Sequence, residues 1–148
     1  MDQSEHKKLG IELFNATWDL IDKSDRTETE NFEMIHKAHA SCYHWSMGGG
    51  TSLNEARGEW QVSRVYALLK MGEGALVHGK RSLDICLADG YADFDLAFGY
   101  EAVARAYAVL QDEENMKCYV QSALNACKDI KEEGDRKYAL QEINGISL

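Results

Sequence analysis

The sequence predicts an all-α protein, and three observations carry that prediction. The chain of 148 residues contains no proline, where an average chain of this size would carry about seven, so nothing interrupts a helical hydrogen-bond ladder. Apolar residues recur at spacings of three and four along most of the chain, the period of an amphipathic helix. Alternation of period two is never sustained, so strands have no support. Length and composition suit one domain, residues 1–148, with 45% hydrophobic and 28% charged residues supplying both a core and a solvated surface.

Helix one is expected from about Ser4 to Lys23, with Leu9, Leu13, Phe14, Thr17, Leu20 and Ile21 on one side. The polar stretch Ser24–Thr29 ends it. Thr27 followed by Glu30 has the form of a capping box, each side chain accepting from the other's free backbone N–H, and so starts helix two. That helix carries Ile35, Ala38, Cys42 and Trp45 as its buried stripe and ends at Gly48-Gly49-Gly50, because residues without Cβ accept the left-handed turn that closes helices. Ser52 and Glu55 offer a second capping box for helix three, with Leu53, Ala56, Trp60, Val65, Tyr66 and Leu69.

A turn around Met71–Gly74 leads into helix four, with Leu76, Leu83, Cys86 and Leu87, which Gly90 closes. Asp93 is placed to cap helix five, whose stripe is Leu96, Tyr100, Val103, Tyr107 and Leu110. Asp112 is placed to cap helix six, with Met116, Val120, Ala123, Cys127 and Ile130. A short seventh helix follows from about Asp135 to Ile143. Short turns between these elements favour antiparallel hairpins.

Shifting the sequence by 41 residues aligns helices three and four with helices five and six. Val62, Arg64, Tyr66, Ala67, Leu69, Glu73, Leu83 and Cys86 meet Val103, Arg105, Tyr107, Ala108, Leu110, Glu114, Leu124 and Cys127. Eight identities within 25 residues, mostly at core positions, mark a duplicated two-helix unit. No register brings helices one and two into the same alignment.

The segment Val103-Ala104-Arg105-Ala106-Tyr107, then Gln111-Asp112 and Ala123-Leu124, resembles the tetratricopeptide-repeat pattern. Val62-Ser63-Arg64-Val65-Tyr66, Ala75 and Ser82-Leu83 follow it in the preceding unit. The string from Tyr43-His44-Trp45 through Ala56-Arg57-Gly58-Glu59-Trp60 to Ser63–Leu69 is also similar to uncharacterised bacterial proteins of tetratricopeptide-like type. The resemblance implies antiparallel hairpins stacked in an array of about six helices plus a short C-terminal helix. It further implies a groove between helices one, three and five that binds a protein or peptide. The end of the array at helix one, with Phe14 and Trp18, is expected to be covered by its own side chains or by a second copy in a homodimer.

Charge and composition exclude several functions. Sixteen Lys and Arg against 25 Asp and Glu give a net charge of −9, which repels a phosphate backbone and argues against nucleic acid as a partner. No apolar run approaches the roughly 18 residues that span a bilayer, and no signal-peptide pattern opens the chain, so the expectation is a cytoplasmic domain without a membrane partner. Cys42, Cys86, Cys118 and Cys127 lack metal or redox spacing and read as buried apolar residues. Gly48–Ser52 lacks the lysine and preceding strand of a phosphate loop, so no nucleotide or other cofactor is expected.

Two constellations remain. Arg57, Trp60 and Arg64 stand at i, i+3 and i+7 on helix three, with Arg105 as the repeat equivalent of Arg64. Guanidinium groups beside an aromatic plane can hold a carboxylate or phosphate, so the leading expectation is a non-enzymatic interaction module. Its groove would be lined by Arg57, Trp60, Arg64, Tyr66, Tyr100, Arg105 and Tyr107, and its ligand would be a peptide carrying an anionic group. The bland alternative pairs those arginines with acids such as Glu55, Glu59 and Glu101. The second constellation, His36, His39 and His44 on helix two, would make a metal-dependent enzyme of helical-bundle type. The i, i+4 positions after His36 and His39 are Ala40 and Tyr43, however, so further donors would have to come from another helix.

Overall fold

The structure, a computed structural model, describes residues 1–148 and is entirely helical. In chain order the elements are α1 (Gln3–Ile21), α2 (Glu28–Met47), α3 (Ser52–Leu68), α4 (Gly72–Asp89), α5 (Asp93–Val109), α6 (Glu113–Cys127) and α7 (Glu133–Asn144). No helix is long and apolar enough to cross a membrane.

Most boundaries follow from the caps named above. Thr27 and Glu30 form the expected box at α2, the Asp112 carboxylate takes the Asn115 N–H at α6, and Gly90 closes α4 in the left-handed conformation at φ +72°. Other details differ. Helix one stops at Ile21, where the Arg26 guanidinium donates to the carbonyls of Leu20, Ile21 and Lys23, a cation satisfying the negative end of a helix. The box at α3 uses Thr51 and Asn54 rather than Ser52 and Glu55. Asp93 is the first helical residue of α5, yet its carboxylate still accepts from the N–H of Phe94 and of Lys131.

The helices pair in sequence, α1 on α2, α3 on α4 and α5 on α6, with α2 against α3 and α4 against α5 joining successive pairs. Odd-numbered helices also touch one another, α1 on α3 and α3 on α5, whereas even-numbered helices do not. The odd helices therefore share an inner face, and α7 packs on α5 and α6 beside it.

The 41-residue relation holds in three dimensions. Lys70 and Gln111 occupy the same left-handed turn at φ 61° and 59°. Met71 and Asp112 then receive matching bonds, their N–H groups donating to the carbonyls of Tyr66 and Tyr107 at 2.9 and 3.0 Å. Tyr66 lies on His78 and Tyr107 on Tyr119, with ring centroids 5.7 and 5.6 Å apart. Cys86 and Cys127 are both 1% exposed.

The first pair obeys the same rule with a shift that hides it. Ser41 Oγ donates to the Gly10 carbonyl and Ser82 Oγ to the Ala56 carbonyl, each at 2.8 Å. The two donors are 41 residues apart and the two acceptors 46. Thr17, Ser63 and Ala104 are likewise equivalent and buried, as are Met34, Ala75 and Met116. Five additional residues around the α1–α2 connection displace the register that a fixed-period comparison needs.

Several burial expectations are corrected by packing. The α2 stripe is Met34, Ala38 and Ser41 rather than Ile35, Ala38, Cys42 and Trp45, with α2 lying over Gly10 of α1, whose carbonyl takes the Ser41 hydroxyl. Leu87 and Leu110 are exposed, and α5 is buried around most of its girth through small residues between Ala97 and Ala108. Of the cysteines, Cys86 and Cys127 are buried, Cys42 is half-buried and Cys118 is exposed.

Candidate functional site

The inner face holds the most concentrated chemistry in the molecule. Helical spacing puts Phe14 and Trp18 of α1 toward α3, which presents Arg57, Trp60 and Arg64. From α5 come Phe94, Asp95, Phe98, Glu101 and Arg105. Trp60 is the hub: it stacks on Trp18 with centroids 5.7 Å apart and 27° between planes, and it meets Phe98 edge-on at 5.7 Å and 80°. Phe98 lies 4.5 Å from Phe94 and 5.8 Å from Tyr138 of α7. Such offset and edge contacts each add about 0.5–1.5 kcal/mol beyond area burial, so the rings form a stiff wall. Phe14 and Trp18 thus face this inner groove.

Within this wall is a cavity of about 170 Å³ lined by Phe14, Trp18, Ala56, Arg57, Trp60, Ser82, Cys86, Phe94, Asp95, Phe98 and Tyr138. Arg57 and Tyr138 are exposed, so it opens to solvent. Burial pushes the Cys86 thiol up to about 11, which leaves it protonated and unreactive at neutral pH.

The arginines are committed to acids. Arg57 grips Asp95 with two parallel bonds of 2.9 and 3.1 Å, which raises its already high pKa. Below it, the Glu101 carboxylate is fully buried and accepts three donors: Trp60 Nε1 at 3.0 Å, Arg64 Nη1 at 3.3 Å and Arg105 Nε at 2.6 Å. Glu142 of α7 completes the set, 3.6 Å from Arg64 and 3.8 Å from Arg105. Three cations thus face three carboxylates. One donor of the set, Arg64 Nε, is buried without a partner.

Of the residues singled out by sequence, Arg57, Trp60, Arg64 and Arg105 are brought together. Tyr66, Tyr100 and Tyr107 are not, because they point toward the even-numbered helices: Tyr66 to His39 and His78, Tyr100 and Tyr107 to Tyr119. The histidines of α2 diverge. His36 is exposed, His39 Nε2 lies 2.8 Å from the Tyr66 hydroxyl, and His44 pairs with His6 at 2.8 Å. No three His, Cys, Asp or Glu side chains gather in a way that could hold a metal. His39 neighbours His78, which meets Glu59 at 2.5 Å, and its pKa is lowered by burial first and by His78 second.

Phe94, Asp95, Phe98, Tyr138 and Glu142 were not singled out from sequence. The Phe94–Phe98 pair at i, i+4 and the Tyr138–Glu142 pair at i, i+4 carried the available signal. No protein-family model matches the chain, and no curated protein and no solved structure matches it at a significant level.

Proposed function

We propose that this chain is a non-enzymatic protein- or peptide-interaction module. In this reading the hairpins stack as a tetratricopeptide-like array, and its inner groove anchors one apolar, ring-sized side chain of the partner. The observation that carries it is the open cavity of about 170 Å³ walled by Phe14, Trp18, Trp60, Phe94, Phe98 and Tyr138. An apolar cavity of about 150 Å³ is large enough to admit benzene, so the volume suits a phenyl or branched aliphatic group. Burying such a group contributes about 1.5–3 kcal/mol, a useful anchor when flanking backbone contacts supply the rest. The neutralised arginines support an apolar anchor over the anionic ligand expected from their spacing, since an incoming carboxylate would have to displace one already bound.

Toluene and phenylalanine amide, titrated into the full chain, test the anchor. Both should perturb Trp18 and Trp60 fluorescence and move the amide resonances of α1, α3 and α5, at about millimolar affinity for so few atoms. Ala56→Leu, which fills the cavity from its α3 wall, should abolish both signals while the far-ultraviolet circular dichroism stays unchanged. Unmoved resonances in the parent chain, or undiminished binding to the filled variant, would refute the proposal.

A further inference from the structure

A second cavity, of about 410 Å³, shares no residue with the ring-lined pocket. It lies where α3 and α5 end, beside the segment that follows α7, and Arg64, Lys70, Arg105 and Gln111 form its polar wall. No aspartate or glutamate lines it, although the chain carries 25 of them. Arg64 and Arg105 share Glu101 and Glu142, whereas Lys70 enters no ion pair. Three cations therefore stand against two carboxylates, which leaves one positive charge unmatched in a protein of net charge −9. Donors also outnumber acceptors: Arg105 bonds through Nε and Nη2 but not through Nη1, and Arg64 Nε has no partner.

Lys70 is not accounted for by its place at the end of a helix. A cation suits a helix C-terminus, but the carbonyls of Val65, Tyr66 and Ala67 are already taken by the backbone N–H groups of Leu69, Met71 and Lys70. Its backbone stands at φ +61°, where glycine is favoured, and non-glycine residues held there cluster at ligand clamps. Gln111 shares this turn but gives its amide to the Ala108 carbonyl; the Lys70 ammonium has no such partner. The apolar part of the wall is aliphatic, with Leu68, Val109, Ile146 and Leu148 and no aromatic ring. We propose that this cavity binds a free aliphatic monocarboxylate, its oxygens on Lys70 Nζ and Arg105 Nη1 and its tail along Leu68, Val109 and Ile146. Those donors are claimed by no carboxylate of the protein, so Glu101 keeps its partners. One negative charge matches the one unmatched cation, and a phosphate dianion would exceed it beside Glu101 and Glu142.

Octanoate, octanamide and octyl phosphate, titrated into the full chain at about pH 7 and about 50 mM salt, test the site. Octanoate should bind with about millimolar affinity, about 10-fold more tightly than octanamide, and should move the amide resonances of Lys70, Gln111 and Ile146. Octyl phosphate should bind no more tightly than octanoate. Lys70→Gly removes the ammonium while relieving the left-handed backbone, so lost binding in that variant does not reflect lost folding. It should bring octanoate to within about 2-fold of octanamide, and Lys70→Arg should keep the preference for the acid. Equal binding of octanoate and octanamide by the parent chain, or an undiminished preference in Lys70→Gly, overturns the proposal. Octanoate shifts confined to Trp18, Trp60 and Phe98 overturn it as well, because the tail would then occupy the ring pocket. Octyl phosphate binding about 10-fold more tightly than octanoate would overturn the assignment of a monoanion.

Discussion

Replacing Glu101 by glutamine is the most informative single perturbation of the inner face. The parent carboxylate is fully buried, with one oxygen shared by Arg105 at 2.6 Å and Arg64 at 3.3 Å and the other taken by Trp60 Nε1 at 3.0 Å. Glu101→Gln keeps the shape but turns one acceptor into a donor, which faces either the indole N–H or a guanidinium. It also leaves two arginines with Glu142 alone, an excess positive charge among side chains only 17% and 22% exposed. Breaking a buried pair costs about 3–5 kcal/mol, and the residual exposure of the arginines reduces this to about 2–4 kcal/mol. For a chain of this size a loss of about 3 kcal/mol lowers Tm by roughly 6–12 °C. Adding Arg105→Gln restores charge balance, so the double variant should be at least about 1 kcal/mol more stable than the summed single effects imply. Urea unfolding followed by tryptophan fluorescence measures all four species. A single variant within about 0.5 kcal/mol of the parent, or strict additivity in the double, would show that the buried carboxylate does not organise the groove.

Three further outcomes are expected. Alanine at Gly48 would put a Cβ 2.7 Å from the backbone Cα and N of Lys7, atoms that cannot rotate away, so Gly48→Ala should cost about 2–3 kcal/mol. Gly90→Ala meets no atom and pays only for its positive φ, about 1 kcal/mol; equal losses in thermal unfolding would contradict this division between contact and backbone strain. Lys70→Gly relieves a left-handed lysine and should stabilise by about 0.5 kcal/mol. Gln111→Gly should gain less, because it also loses the bond from Nε2 to the Ala108 carbonyl, and a loss at position 70 would contradict the shared-turn account. His39 is held neutral in the native state by a pKa below its ordinary 6.5. Its contribution to stability is therefore full above pH 6.5 and lost as pH falls from there toward the native value, because the unfolded chain takes up the proton first. His39→Gln should flatten Tm between about pH 7.5 and 5.5, and an unchanged slope would remove His39 from the account.

Features that depend on neighbours along the chain could be read before any fold was known. The absence of proline, the Thr27–Glu30 box, the Asp112 cap, the Gly90 stop and the repeat from Val62 to Cys127 all express backbone chemistry or helical period, and both are local. The first helical pair escaped the comparison because five residues shift α1 against α2, although Thr17, Ser41 and Met34 occupy the repeated interior places. The arginine stripe was correctly located on α3, but its neutralisation was not assured. Its partners Asp95, Glu101 and Glu142 lie 37 or more residues away from it, and spacing along a helix carries no information about what a different helix places opposite. Nor could sequence separate Trp18 as a residue at the end of the array from Trp18 as a groove wall. Hydrophobic burial is non-directional; only the crossing of α1, α3, α5 and α7 assigns those rings to one cavity and those charges to one buried carboxylate.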